Sequence, residues 1–211
     1  MPARLSGEYD SSDMDAANLI VGLGNPGAEY ANTRHNVGFA LAEKLAARWN
    51  VRWDSRKEFE AKLARSEFAG KPVWLCEPHT YMNLSGEAVA AVSRFYKILP
   101  GQLLVLMDDA DLPLGELRLR PQGSSNGHRG VESIAQHLGT TEFARLKIGI
   151  GRGAGQRQEL AGHVLGVFEP AEKARLETVL NRAAEQCECW LQHGVAKAMN
   201  DFNGAVPDTA P

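Results

Sequence analysis

One histidine, two aspartates and two asparagines have the side chains that hydrolytic chemistry requires. The unperturbed pKa of an imidazole lies near neutrality, so His35 is the natural general base. The carboxylate of Asp108 or of Asp111 could accept a hydrogen bond from that imidazole and stabilise its charged form. The amides of Asn25 and Asn83 do not titrate and can bind a peptide group. Such a set can activate water for attack without forming a covalent intermediate.

A predicted β-strand precedes each of the amide and carboxylate residues. Leu19–Leu23 is short and apolar, and Gln102–Met107 is a near-continuous apolar run typical of a strand covered on both faces. Lys71–Pro78 is the third such stretch. Ligands of α/β sheets bind beyond the carboxyl ends of the strands. If these strands are parallel neighbours, the side chains that follow them meet at one edge, with His35 in the first loop.

Helices are predicted between the strands. Val37–Trp49 has apolar residues at every fourth position, with Asn36 as a suitable N-cap. Ser85–Leu99 carries an apolar stripe that includes Phe95 and Leu99. Two further helices are predicted, over 127–138 and from Pro170 to about Gln192.

Two stretches with alternating polarity complete the predicted sheet. Glu116–Arg120 and Arg145–Gly151 are each predicted to have one solvent-exposed face and to pair antiparallel. The order of elements predicts an α/β fold: a single domain with a twisted, mostly parallel mixed sheet and helices on both faces. We expect residues 1–17 to be a mobile acidic segment, 18–203 to form the domain and 204–211 to be a flexible tail.

Composition excludes several classes of protein. The chain has 211 residues and a formal net charge of −3, which argues against coating nucleic acid through bulk charge. It has no apolar run of the roughly 20 residues that a membrane helix needs, and its acidic start is not a signal peptide. The cysteines and histidines show neither CxxC nor HxxxH spacing, and Cys187 and Cys189 would not share a helix face. We therefore expect a cytoplasmic monomer with reduced thiols, no metal, no cofactor and no membrane contact.

The glycines from Gly22 to Gly27 have the spacing GxGxxG, which raises the alternative of a nicotinamide-dependent oxidoreductase. A dinucleotide site needs a helix immediately after the glycines, so that its N-terminus meets the pyrophosphate. Here the polar segment AEYANTRHN intervenes, and the acidic residue expected about 20 positions later is missing. The glycines are better explained by a tight turn.

Several ordered segments resemble the bacterial-type peptidyl-tRNA hydrolase family, over about residues 18–203. The resemblance rests on GLGNPGAEYANTRHNVGF (22–39), TYMNLSG (80–86), DDADLPLG (108–115), GSSNGHRG (123–130), RLKIGIG (145–151) and HGVAKAMNDFN (193–203). It implies that the chain hydrolyses the ester between a peptide and the 3′-ribose of tRNA. The implied partner is peptidyl-tRNA.

The resemblance also implies roles for individual residues. It favours Asp108 over Asp111 as the residue that orients His35, with Asp111 fixing the following turn. The asparagine that matches Asn25 is associated in the family with distinguishing acylated from free amino ends. Asn83 is similarly placed to hold the substrate main chain. Tyr30 and Tyr81 match aromatic positions that line the family's substrate cleft, although both suit core packing equally well.

Basic residues cluster in one third of the chain, where they form either a solvated sheet face or, as the resemblance implies, a binding site for tRNA. The resemblance assigns Arg120 and Lys147 to the tRNA 5′-phosphate, within a cluster that also contains Arg118, Arg145 and Arg152. The chain departs from the family pattern at Arg129, where an asparagine is usual. Arginine cannot accept a hydrogen bond, so we expect Arg129 to contact a phosphate or carbonyl of the acceptor end instead.

Two alternatives remain beside the hydrolase. One is a catalytically silent, RNA-binding relative of the family, and the other is the oxidoreductase. The joint presence of His35, Asn25 and Asp108 favours the enzyme, because a protein that only binds RNA has no need of this set.

Overall fold

The structure, a computed structural model, describes residues 17–152 and 160–207. Residues 1–16 of the expected acidic segment and residues 208–211 of the expected tail lie outside the described residues. The described chain forms one sheet with helices on both of its faces, so the α/β fold predicted from the sequence is confirmed.

The sheet has eight strands in the described residues, in the order β2-β3-β4-β1-β5-β7-β6-β8. Their bounds are Asn18–Gly22 (β1), Asp54–Arg56 (β2), Ala61–Phe68 (β3), Lys71–Pro78 (β4), Leu103–Asp109 (β5), Glu116–Arg120 (β6), Ala144–Gly149 (β7) and Gly204–Ala205 (β8). The central strands β4, β1, β5 and β7 are parallel, and the outer strands pair antiparallel. The sheet is therefore mixed, with its parallel part at the centre.

Helices cover the two faces of this sheet. Their bounds are Val37–Arg48 (α1), Ser85–Phe95 (α2), Arg129–Leu138 (α3), Leu160–Val164 (α4), Pro170–His193 (α5) and Val195–Phe202 (α6). Successive strand residues alternate between the faces, so Ile20 packs in the core on the α1 and α5 side, and Val21 in the core on the α2 and α3 side. Both faces of the central strands are apolar for this reason.

Two glycines bring α1 against the centre of the sheet. A Cβ atom on Gly22 would lie 2.5 Å from the carbonyl oxygen of Gly38, and one on Gly38 would lie 2.4 Å from that of Leu106. The first glycine of the GxGxxG spacing thus permits close packing of strand and helix. No helix opens directly after Gly27, because a turn and a short 3₁₀ segment at Arg34–Asn36 precede α1. The geometry does not support the dinucleotide alternative.

Strand β7 differs from the prediction of a half-exposed antiparallel strand. It lies between β5 and β6, runs parallel to β5, and is buried over its whole length. The alternation of polarity is real, but the polar positions Arg145 and Lys147 are also buried. Arg145 donates a hydrogen bond to the Ser124 carbonyl in the loop after β6, and Lys147 pairs with Asp109 at the end of β5. The predicted antiparallel pairing of β6 is correct.

Helix α2 is shorter than predicted. It ends at Phe95, and the backbone of Lys97 has a φ of +55°, which is incompatible with a continuing right-handed helix. The turn buries Tyr96 and Ile98, whereas Phe95 is 60% and Leu99 66% exposed. The buried stripe was therefore predicted correctly for the helix interior but wrongly for its last residue, Phe95, and for Leu99 beyond it.

Candidate active site

The carboxyl ends of β1, β4 and β5 meet at one edge of the sheet, where a cleft of about 480 Å³ opens. Asn25, His35, Asn83 and Asp108 all line this cleft, as expected from their positions after parallel strands. The neighbouring loop after β6 contributes residues 125–129 to the cleft lining, and Val164 and Leu165 form part of its wall.

His35 and Asp108, which both line the cleft, contact each other directly. The His35 Nδ1 atom lies 2.7 Å from Asp108 Oδ1. Asp111 does not take this role, because its carboxylate pairs with Arg152 at the surface. The turn after β5 is instead fixed by Asp109, whose carboxylate accepts a hydrogen bond from the Asp111 amide at 2.8 Å.

A second histidine shares the same carboxylate oxygen. His128 Nε2 lies 3.0 Å from Asp108 Oδ1, and the two imidazole centroids are 5.0 Å apart. His128 is also the N-cap of α3, where its Nδ1 accepts a hydrogen bond from the Val131 amide at 3.4 Å. The lone pair on Nδ1 places the proton of neutral His128 on Nε2, so this atom donates to Asp108.

The same reasoning assigns the tautomer of His35. Asp108, when ionised, can only accept hydrogen bonds, so His35 Nδ1 donates to it. The remaining ring nitrogen of neutral His35, Nε2, therefore carries a lone pair, and the side chain is partly exposed in the cleft. This is the arrangement that a general base needs.

Asp108 stays ionised despite its burial. Burial of this side chain, which is 4% exposed, acts to raise the pKa of the carboxyl. The electrostatic interaction with His128 and the hydrogen bonds from both histidines oppose this effect and hold the pKa of Asp108 below its ordinary value. The carboxylate can therefore orient His35 and stabilise an imidazolium without taking the proton itself.

Asn25 lines the same cleft, and hydrogen bonds fix both its side chain and its backbone. Its side-chain oxygen accepts a hydrogen bond from the Met82 amide at 2.8 Å. The Asn36 side chain bonds both the amide and the carbonyl of the Asn25 backbone, at 2.8 and 2.9 Å. Because the oxygen is already engaged, Asn25 offers its NH₂ group as a donor to a bound ligand.

Asn36 therefore differs from its predicted role. It occupies the N-cap position of α1, but its side chain makes no capping hydrogen bond. The buried side-chain amide of Asn36 fixes Asn25 instead. His35 is thus the candidate base, and the next residue, Asn36, holds the hydrogen-bond donor Asn25 in place.

The residues that could hold a metal are His35, Asp108 and His128. One ligand atom from each lies within 4.8 Å of the others in the described part of the chain. Both imidazole nitrogens that face Asp108 carry protons in the hydrogen-bond pattern described above, and Nδ1 of His128 is engaged by Val131. This pattern suits a proton network better than a coordination sphere, which needs unprotonated nitrogens.

The other residues predicted to bind substrate are only partly brought together. Tyr81, Asn83 and Arg129 line the cleft, and Tyr81 is 59% exposed. Tyr30 is absent from the described residues that line the cleft. Its carbonyl accepts hydrogen bonds from the amide and hydroxyl of Thr33, which shape the turn leading to His35.

The predicted phosphate-binding residues lie in different environments. Arg120 is exposed on β6, whereas Lys147 is buried and its ammonium pairs with Asp109 at 2.8 Å. Arg145, directly opposite Arg120 in the β6–β7 register, is buried as well and donates to the Ser124 carbonyl at 2.6 Å. Arg120 is thus the more accessible of the two predicted contacts.

The sequence analysis missed His128 and the true role of Asn36. His128 lies in the quoted GSSNGHRG segment, but no local spacing connects it to Asp108, 20 residues earlier. A histidine in a glycine-rich loop that opens a helix near the same sheet edge was the available signal.

Comparison with known proteins is consistent with this geometry. A family model described as peptidyl-tRNA hydrolase matches residues 19–209. The peptidyl-tRNA hydrolase of Synechococcus sp. strain JA-3-3Ab is 52% identical over 188 residues, which cover 89% of this chain and 83% of that protein. The one from Synechocystis sp. strain PCC 6803 is 48% identical over 185 residues, 88% of this chain and 95% of that protein. The crystal structure of peptidyl-tRNA hydrolase from Acinetobacter baumannii is 38% identical, covers 90% of this chain and 96% of that chain, and has a TM-score of 0.86.

Proposed function

The chain belongs to the peptidyl-tRNA hydrolase family, and from this membership we infer that its substrate is peptidyl-tRNA. The reaction is hydrolysis of the ester between the peptide and the 3′-ribose, which releases the peptide and the tRNA. A carboxyl ester is already activated, so a positioned water, a base and a donor for the developing negative charge are sufficient.

His35 is the base in this proposal. Its Nε2 lone pair takes a proton from water as the oxygen attacks the ester carbonyl, and Asp108 stabilises the imidazolium that forms. The proton then passes to the leaving ribose oxygen. The observation that carries the proposal is the 2.7 Å contact between His35 Nδ1 and Asp108 Oδ1 at the edge of the cleft.

Asn25 is the donor in this proposal. Its NH₂ group binds a carbonyl oxygen of the peptidyl group, while the Met82 amide holds the side-chain oxygen and Asn36 holds the backbone of Asn25. This NH₂ group can pair with the carbonyl oxygen of an acylated amino end but not with the free cationic amine of aminoacyl-tRNA. With the second ligand the donor would be buried without a partner, which costs about 1–3 kcal/mol of binding free energy.

His128 supports the same carboxylate in this proposal. It donates to the oxygen of Asp108 that also receives His35 and thereby fixes the position of this oxygen. Asn83 and Tyr81 are proposed to contact the peptide main chain and an adjacent side chain, because both lie exposed along the same cleft.

The test uses N-acetyl-aminoacyl-tRNA and unblocked aminoacyl-tRNA as paired substrates. We expect hydrolysis of the blocked form alone, loss of turnover by about 10²–10⁴-fold in His35→Ala, and nearly unchanged tRNA affinity in that variant. In Asn25→Ala the preference for the blocked substrate should shrink. Binding of tRNA without hydrolysis would instead identify a catalytically silent relative, and full activity of His35→Ala would exclude the proposed base.

A further inference from the structure

Arg34 is a buried arginine directly before the catalytic histidine, and its side chain points away from the reacting groups. The residue is 8% exposed. Its Nη1 donates to the Val167 carbonyl at 2.6 Å and its Nη2 to Glu172 Oε2 at 2.7 Å. The guanidinium also lies 5.1 Å from the ring centroid of the buried Phe168.

These partners belong to a segment that forms one wall of the cleft. The wall segment, residues 162–168, contributes Val164 and Leu165 to the cleft lining. At its start, His163 Nε2 lies 2.8 Å from the Gly151 carbonyl oxygen, near the end of β7. The segment also contacts the chain just before His35, and its Phe168 is buried in the core.

The backbone repeats the attachment made by the Arg34 side chain. The Arg34 amide donates to the Gly166 carbonyl at 2.9 Å, and Thr33 forms an isolated antiparallel bridge with Val167. Gly166 approaches so closely that a Cβ atom there would lie 3.1 Å from Arg34 Nη1. The turn that carries His35 and the wall segment are therefore joined at consecutive residues.

We infer that Arg34 is a positioning residue, which fastens the wall segment to the turn bearing His35 and so keeps the wall and the base at a fixed separation. This inference rests on the proposed hydrolase function. Arginine suits the task because its planar guanidinium binds a carbonyl and a carboxylate simultaneously while packing on an aromatic ring. Lysine, with a single ammonium group, cannot reproduce that geometry.

Loss of the Arg34 side chain should loosen the wall while leaving the reacting groups in place. The His35–Asp108 contact does not involve Arg34. Glu172 retains the Glu169 amide as a partner at 2.7 Å, so the first turn of α5 keeps its cap. The expected defect is therefore in substrate binding and much less in the chemical step.

The experiment compares Arg34→Ala, Arg34→Lys and wild type in hydrolysis of N-acetyl-aminoacyl-tRNA. We expect KM to rise about 10-fold in both variants, with kcat within about 3-fold of wild type. Arg48→Ala is the matched control, because Arg48 also pairs with a glutamate of α5, Glu188 at 2.7 Å, but lies outside the described cleft lining. Its KM should be unchanged.

Chemical rescue separates positioning from a general loss of stability. Millimolar guanidinium should lower the KM of Arg34→Ala, since the ion can occupy the vacated site between Val167 and Glu172. A variant that is merely destabilised would be further impaired by the same ion. An unchanged KM in Arg34→Ala, or a raised KM that guanidinium does not lower, would overturn the inference.

Hydrogen exchange gives a measurement that does not depend on turnover. Amides of the wall segment should exchange faster in Arg34→Ala than in wild type, while those of β5 should not. Equal exchange in the wall segment would overturn the inference even if the enzyme is active. Failure of wild type to hydrolyse the substrate would count against the proposed function, and the exchange result would still decide the role of Arg34.

Discussion

At the scale of single residues, the site depends on one carboxylate oxygen, Asp108 Oδ1, that accepts hydrogen bonds from two histidines. Asp108 would be an unfavourable charge in this buried position without them, since an unpaired buried carboxylate is protonated instead. The N-cap bond to His128 Nδ1 directs its other nitrogen to Asp108, and this second hydrogen bond helps to keep the carboxylate ionised as the acceptor for His35 Nδ1. A capping interaction of α3 thus helps to define the base.

A different buried carboxyl, Glu77 at the end of β4, lacks such partners. Its Oε1 has no hydrogen-bond partner among the described residues. Burial raises the pKa of Glu77 to about 8. The negative charge of Glu43 acts in the same direction, and the positive charge of Lys62 opposes it. The folded protein therefore keeps this carboxyl protonated at pH values where the unfolded chain loses the proton.

Glu77 should make the protein less stable as pH rises. The folded pKa lies above the ordinary value of 4.5, so the stabilising contribution is complete below pH 4.5 and is lost as pH rises through about 8. Each unit of pKa difference corresponds to about 1.4 kcal/mol. We expect Glu77→Gln to flatten the fall in the free energy of unfolding between pH 5 and pH 8.5, measured by urea denaturation.

The exposed Glu87 of α2 provides the control for this measurement. Glu87→Gln should keep the wild-type pH profile. A Glu77→Gln profile as steep as that of wild type would show that Glu77 is ionised in the folded protein.

At the scale of elements, glycines decide how closely the helices approach the active edge. A Cβ atom on Gly130, in the first turn of α3, would lie 2.5 Å from Met82 Sδ and 2.9 Å from Leu23 Cδ1. The start of α3 therefore rests against the chain that follows β1 and β4. This contact sets the distance from His128 to Asp108.

Gly130→Ala should move the start of α3 away from the edge. Alanine favours a helix more than glycine by about 1 kcal/mol, so any loss of stability must come from the steric clash. We expect the clash to cost roughly 1–3 kcal/mol in unfolding free energy and to lower kcat. Urea denaturation and turnover of N-acetyl-aminoacyl-tRNA measure the two effects.

Gly101→Ala is the matched substitution, because a Cβ atom there meets nothing within 4 Å. It should leave turnover at the wild-type value. If Gly130→Ala also keeps wild-type stability and turnover, the close approach of α3 is not required.

At the scale of the whole molecule, an acidic chain exposes positive charge on strand β6 and in its cleft lining. The net charge is −3, yet Arg118 and Arg120 are exposed on β6 and Arg129 is exposed in the cleft lining. Lys147 is neutralised by Asp109 and is a weaker candidate for a direct phosphate contact than the sequence analysis suggested. No helix of the described residues is long and apolar enough to cross a membrane.

Arg120 and Arg129 are proposed to contact phosphates of the tRNA acceptor end. We expect Arg120→Gln and Arg129→Ala each to weaken tRNA binding and to reduce the slope of log K against log salt concentration by roughly 0.7–1. Binding titrations at several salt concentrations measure this slope. Arg48→Gln serves as the control, and an unchanged slope in Arg129→Ala would exclude a phosphate contact for that residue.

The central part of the fold could be predicted because local patterns agree with it. The apolar runs of β1, β4 and β5 are covered on both faces, and the carboxyl ends of parallel strands must share one edge. Strand β3, between β2 and β4, was missed because only part of it is buried, and its turn to β4 uses Ala69 and Gly70, both with positive φ. Alanine is not a residue that marks such a turn in a sequence.

The amino-acid sequence alone determined the family, the α/β class and the grouping of Asn25, His35, Asn83 and Asp108, because these depend on short segments and on parallel strand order. Only the tertiary structure decided that His128 shares Asp108, that Asn36 supports Asn25, that Lys147 is paired with Asp109 and that Tyr30 lies outside the cleft lining. Each of these depends on contacts between residues distant in the chain. Their distances and burial are set by how helices and loops pack on the sheet, which local polarity does not encode.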